Sequence, residues 1–142
     1  FWPIRSEPGL LSVARDWLKR TGGLIYLPET RPDCMIYRLW HEGAELRKDC
    51  AGIPYPQGEE ASKPPAMVVA PCVGYAESCR RLGYGGGYFD RYLASYGNQR
   101  PLAVGVAFDE LRVPEEIFES FDEPLDAVVT ERRIILKAKA PL

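Results

Sequence analysis

Near the start of the chain, apolar positions recur at helical spacing: Leu10, Leu11, Val13, Ala14, Trp17 and Leu18. Pro8 suits a first helical position and Gly22-Gly23 a stop, which predicts a helix between them. Residues 24–27 then read as a strand closed by Pro28, and residues 34–40, partly alternating, as a second. From His41 to Pro65 the pattern turns polar and is broken by Gly43, Gly52, Pro54, Pro56, Gly58, Pro64 and Pro65, a loop-rich connection. The run 67–73, Met-Val-Val-Ala-Pro-Cys-Val, is short, apolar and rich in β-branched residues, as a buried strand would be. Residues 102–108 and 125–130 have the same character. A glycine-rich loop follows the first of these strands and opens a helix predicted from near Tyr88 to before Gly97, and residues 114–118 predict a helical turn. Strand, loop, helix, strand is the order of an α/β fold with a mainly parallel sheet.

Composition adds exclusions. At 142 residues the chain is read as a single α/β domain over 1–142, with residues 132–142 as a flexible basic tail carrying Arg132, Arg133, Lys137 and Lys139. Hydrophobic residues are 46% and charged ones 27%, a globular profile. A net charge of −2 argues against a nucleic-acid footprint. No window approaches the roughly 18 apolar residues of a membrane span. The opening Phe1-Trp2-Pro3-Ile4-Arg5 lacks the basic start and apolar core of a signal peptide and reads like the end of a strand, so a truncated amino terminus is expected. Cys34, Cys50, Cys72 and Cys79 form no C-x-x-C and have only His41 for company, so they read as reduced cytoplasmic thiols rather than a zinc site or disulfides.

The densest chemical signal is residues 80–91, Arg-Arg-Leu-Gly-Tyr-Gly-Gly-Gly-Tyr-Phe-Asp-Arg. It stands after a buried strand, where ligands of open α/β sheets bind. Glycines let backbone N–H groups converge on an anion, and a helix start adds partial positive charge. Arg81, with Arg80 as a second candidate, offers charge-assisted bonds to phosphate, and Asp90 a carboxylate for magnesium beside it. The string matches neither the P-loop nor G-x-G-x-x-G. Its alternative reading is a glycine-rich connection with Tyr88 and Phe89 packed as core.

The whole string resembles the signature of the 5-formyltetrahydrofolate cyclo-ligase family. Further segments carry the same resemblance in order: Trp2-Pro3 with Glu7, residues 22–28 (Gly-Gly-Leu-Ile-Tyr-Leu-Pro), residues 51–54 (Ala-Gly-Ile-Pro) and residues 124–131 (Pro-Leu-Asp-Ala-Val-Val-Thr-Glu). It implies a three-layer α/β/α fold of the ribose-phosphate isomerase and CoA-transferase type. It also implies conversion of 5-formyltetrahydrofolate to 5,10-methenyltetrahydrofolate with ATP and Mg2+. There the formyl oxygen attacks the γ-phosphorus, N10 closes the ring on the activated carbon, and phosphate leaves, giving ADP and phosphate.

By position, the resemblance implies that Arg81, Leu82, Gly83, Tyr84, Gly85, Gly86, Gly87, Tyr88 and Phe89 wrap the ATP phosphates, and that Tyr84 to Tyr88 also touch the folate. Arg81, Tyr88 and Asp90 would carry catalysis, Asp90 and Asp126 would serve magnesium, and Trp2 and Glu7 would line the pterin pocket. Plainer readings stand beside these: Glu7 as a helix N-cap acid, Trp2 as core, Asp90 paired with Arg91 or a neighbouring helix, Asp126 capping a backbone turn. The implied partner is a small molecule, 5-formyltetrahydrofolate or its polyglutamylated form, with no nucleic acid or membrane, and the implied enzyme is a cytoplasmic monomer or homodimer. Departures from the pattern are the basic N-terminal helix that does not precede Phe1, Gly86 where some members have Lys, Ala76 after Tyr75 and Tyr55 after Gly-Ile-Pro. They keep open a homologue that binds folate or nucleotide without turnover. His41 and Ser78–Cys79 lack partners at a suggestive spacing and read as non-functional, and the acids from Glu110 to Glu123 as a solvated face.

Overall fold

A computed structural model describes every residue except Trp2, residues 4–6, Phe121, Ala140 and Leu142. The core is a four-stranded sheet built from β5 (Met67–Pro71), β8 (Leu102–Val106), β9 (Ala127–Val129) and β10 (Ile134–Leu136), in the order β10-β9-β8-β5. β5 with β8 and β8 with β9 are parallel, and β10 runs antiparallel to β9. The chain is therefore a mixed α/β protein with a mostly parallel central sheet, as the alternation of apolar runs and polar loops predicts.

Val68, Ala70, Ala103 and Val128 are buried on this sheet, and Val68, Ala103 and Val128 belong to one core cluster with Cys72, Cys79 and Leu125. Burying each of the larger side chains is worth about 1.5–3 kcal/mol. Gly105 in β8 is dictated by space: a β-carbon there would stand 2.7 Å from both Cys72 Sγ and a Leu125 methyl.

Three antiparallel pairs surround the sheet. β1 (Ile25–Thr30) and β2 (Met35–Trp40) form a hairpin. β3 (Leu46–Lys48) pairs with β4 (Pro54–Pro56), and β6 (Gly74–Tyr75) with β7 (Arg81–Leu82). Helix α1 (Leu11–Thr21) ends on left-handed Gly22, whose N–H bonds to the Leu18 carbonyl. Helix α2 (Tyr88–Ala94) is seven residues long. Among the described residues no helix is long and apolar enough to cross a membrane.

Several boundaries differ from the sequence expectation. α1 begins three residues after Pro8, with Leu10 as its N-cap. β1 runs through Pro28 to Thr30, because a two-stranded sheet leaves one edge where a missing N–H costs nothing. The stretch 41–65 holds the β3–β4 hairpin: Asp49 Oδ1 accepts the N–H groups of Ala51 and Ile53 and Oδ2 that of Thr30, closing the turn locally. The region expected as a tail, 132–142, contributes β10, whose Ile135 is buried while Ile134 and Leu136 are exposed. Its flanking basic residues hide three residues of period-two pattern.

Beyond the carboxyl ends of β8 and β9 a polar network ties the chain together. The buried Tyr75 donates its hydroxyl to the Asp109 carbonyl at 3.0 Å. Arg133 bonds Asp109 Oδ1 and Glu77, each at 2.9 Å. The Arg133 hydrogen bond holds the Asp109 carboxyl below its ordinary range, against the opposing effect of burial. A depressed folded pKa stabilises above the unfolded value of about 3.9 and the benefit is lost as pH falls through the folded one. Urea melts at successive pH values below about 4 should therefore show wild type losing more stability than Asp109→Asn. Parallel losses would exclude this carboxylate from acid unfolding.

Candidate functional site

The site grows from the carboxyl end of β5. After Pro71 the chain turns through Cys72 into β6, returns along β7 and enters the loop 83–87 before α2. Pairing of β7 with β6 sets Arg81 opposite Tyr75. Arg81 Nη1 donates to the Pro71 carbonyl at 2.5 Å, and Nη2 lies 3.9 Å from Asp90 Oδ2. Its guanidinium carbon sits 5.2 Å from the Phe89 ring centroid. Only 7% of the Arg81 side chain is exposed. The guanidinium is thus turned inward beneath the loop, where a β-carbon on Gly83 would stand 3.0 Å from Nη2.

Gly83, Tyr84, Gly85 and Gly86 are exposed. Gly85 and Gly87 have φ of 91° and 68°, a region that other residues enter at a cost of roughly 1–2 kcal/mol. Nothing lies within 4 Å of a β-carbon placed on Gly85, so the loop has an open, side-chain-free rim. Arg91 holds it from behind, donating to the Gly86 carbonyl at 2.8 Å and covering the Tyr88 ring at 4.9 Å. A trans peptide points its N–H opposite its C=O, so this bond turns the Gly87 N–H away from Arg91. Tyr88 and Phe89 are half-buried against the core, and Leu82 is half-buried in β7. Asp90 is 65% exposed and meets Arg81, not Arg91 as the plainer reading had it. α2 spans under two turns, so the partial charge expected of a helix start is small and the loop amides are the main donors.

Glu7 is half-buried before α1. Its charge reaches Cys72: burial pushes that thiol up to about 11, Glu7 adds to the rise and Arg81 opposes it. Glu7 and Arg81 thus both act on Cys72, the residue that follows β5. Trp2 lies outside the described residues.

Asp126 corrects the expectation of a second magnesium ligand. Its Oδ2 accepts from Arg100 Nη1 at 2.9 Å and from the Ala103 N–H at 2.7 Å, and its Oδ1 from Arg100 Nη2 at 3.0 Å. Ala103 is opposite Val68, whereas Arg81 and Asp90 sit at Pro71, three residues or about 10 Å further along the strands. The carboxylate closes the amino end of β8, close to the turn-capping alternative. Arg80 is engaged elsewhere as well, with the Asp122 carbonyl at 3.0 Å and Glu115 at 3.8 Å. Ser78 bonds Glu115, and His41 is exposed beside the Glu42 carbonyl.

Sequence reading missed Tyr37. It occupies the middle of β2, 6% exposed, with its ring 4.9 Å from that of Tyr92 on α2. Its position in an alternating strand reads as core, and nothing local marks its hydroxyl.

Comparison with known proteins adds the last observation. The model of the 5-formyltetrahydrofolate cyclo-ligase family matches residues 1–131. The 5-formyltetrahydrofolate cyclo-ligase of Escherichia coli (strain K12) is 31% identical over 124 residues, covering 82% of this chain and 68% of that protein. The solved structure of 5,10-methenyltetrahydrofolate synthetase from Aquifex aeolicus superposes with a TM-score of 0.77 at 27% identity, over 99% of this chain and 71% of that one. The Mycoplasma pneumoniae 5,10-methenyltetrahydrofolate synthetase shares the fold, with a TM-score of 0.61 at 23% identity over 89% and 67% of the two chains.

Proposed function

We infer from the chain's place in the 5-formyltetrahydrofolate cyclo-ligase family, to which it belongs, that it is an enzyme converting 5-formyltetrahydrofolate to 5,10-methenyltetrahydrofolate with ATP. The observation that carries this is the family match across residues 1–131, which takes in the whole glycine loop and the residues gathered around it. The E. coli relative bears the name of that activity, and no observation favours a homologue that binds without turnover. The finer fold reading, three layers of the ribose-phosphate isomerase and CoA-transferase type in a cytoplasmic protein, belongs to the same proposal.

The residues fit a nucleotide's phosphates. The loop rim is open and free of side chains at Gly85, and the Arg81 Nε–H is buried with no partner. Among the described residues no group of three acidic, His or Cys side chains forms a metal cage. Magnesium would then arrive with the phosphates and take at most one or two carboxylates, and the exposed Asp90 beside Arg81 is the one this reading assigns to it. ATP, with its metal, supplies the leaving phosphate that activates the formyl oxygen. Residues 83–87 supply backbone donors for the phosphate oxygens, Arg81 supplies fixed positive charge, and Arg91 holds the loop in shape. In this reading Glu7 accepts hydrogen bonds from pterin N–H groups. Phosphoryl transfer needs this positioning and charge neutralisation more than covalent help from the protein.

An absorbance assay at the methenyl product's band, with 5-formyltetrahydrofolate and magnesium, tests the reading. ATP-dependent growth of the band is expected, and a flat trace with folate still bound in calorimetry would sink the proposed turnover.

A further inference from the structure

Among the described residues, the Tyr37 hydroxyl and Arg81 Nε, both on side chains packed against α2, are buried with no hydrogen-bond partner. Their side chains are 6% and 7% exposed. Such atoms are rare in folded proteins, and each carries a desolvation cost that only a partner can offset. Both lie against one face of α2. The Tyr37 ring meets Tyr92 edge to face at 4.9 Å, and the Arg81 guanidinium covers Phe89 at 5.2 Å. Phe89 and Tyr92 are three residues apart and so are neighbours on that face. Gly83, which is exposed and has no side chain, lies over the guanidinium on the loop side.

Tyr92 and Tyr96 bond each other through their hydroxyls at 3.3 Å. Arg81 Nη1 donates to the Pro71 carbonyl and Nη2 lies 3.9 Å from Asp90, whereas the buried Nε–H has no partner among the described residues. Arg81 also acts on the Tyr37 hydroxyl, partly opposing the upward push of burial on its pKa. A hydroxyl and a guanidinium N–H together ask for an acceptor. The Arg81 guanidinium lies under a glycine beside the carboxyl end of β5, and the Tyr37 ring packs on the same face of α2, so an oxygen carried by a ligand is the partner both donors call for.

We propose that Tyr37 is a further binding residue of this site, its hydroxyl donating together with the Arg81 Nε–H to an oxygen of the bound substrates when the loop over Gly83 shifts to admit it. The proposal rests on the cyclo-ligase reading for the identity of those substrates, and the acceptor is either a phosphate oxygen of the nucleotide or a carbonyl oxygen of the folate. Tyr37 is outside the glycine motif, and its role depends on a hydroxyl that only the packing of β2 on α2 delivers.

Tyr37→Phe keeps the ring, its packing on Tyr92 and the volume, and removes one oxygen. Loss of a hydrogen bond to a charged or strongly polar acceptor should raise one KM about tenfold. A rise for ATP assigns the phosphate, and a rise for 5-formyltetrahydrofolate assigns the folate. The free protein should melt at the same temperature as wild type or higher, since the variant removes an unsatisfied buried hydroxyl. A purely structural hydroxyl, bridged by buried water, would give the opposite pattern. Both KM values staying within about twofold of wild type overturns the proposal, as does a melting temperature lowered by several degrees. Should wild type bind ligand without turnover, the cyclo-ligase reading fails and the same tenfold criterion is applied to calorimetric Kd values for ATP and 5-formyltetrahydrofolate. Wild type binding neither ligand overturns both.

Discussion

Arg81→Ala is expected to lower kcat/KM for ATP by about 100- to 1000-fold, the usual effect of removing one preorganised charge donor from a site where negative charge must be held. The size follows from its placement. The guanidinium is almost wholly buried between the Pro71 carbonyl and the Phe89 ring, and its charge is weakly screened there. Removing it also leaves Asp90 without its cationic neighbour, so negative charge would accumulate where phosphates have to bind. Arg81→Lys should recover part of the loss through charge alone, because an ammonium cannot satisfy Pro71 and present a second fixed donor at once. Steady-state kinetics on both variants, with melting curves to confirm folding, decide the matter. An alanine variant within tenfold of wild type would remove Arg81 from the site.

Asp126→Ala should act on stability instead of chemistry. Its carboxylate takes two bonds from the Arg100 fork and one from a strand N–H, and both side chains are less than a third exposed. Truncation leaves the guanidinium and the Ala103 N–H without their acceptor, a loss of about 1–3 kcal/mol. At roughly 2–4 °C per kcal/mol for a chain of this size, the melting temperature should fall by several degrees. The magnesium dependence of turnover should be unchanged. A normal melt with a raised magnesium requirement would restore Asp126 as a metal ligand and contradict its assignment to the amino end of β8.

The contrast between Asp90 and Asp126 shows where sequence reading stops. Asp90 is legible because it sits within a contiguous string, so its distance from the loop is set by a few bonds. Asp126 stands at the head of a buried strand, where a carboxylate suggests function. Its actual partner, Arg100, is 26 residues away in sequence and meets it only because β8 and β9 lie side by side. Arg81 is a mixed case. Its closeness to the loop is local, whereas its inward turn depends on Pro71 and Phe89. Strand β10 is hidden by the basic residues around it, and the β3–β4 hairpin by its prolines, while Asp49 accepts the N–H groups of the turn between them.

By itself the sequence determined the α/β class, the parallel strands, the glycine loop opening α2 and the family, since each is written in periodicity or in a continuous motif. Tertiary structure alone decided which charged groups meet. It turned Arg81 under the loop, sent Asp126 to the far end of the sheet and left the Tyr37 hydroxyl buried beside α2. The physical reason is that partners of buried polar groups are chosen by strand register and helix packing, which bring together residues that spacing along the chain does not relate.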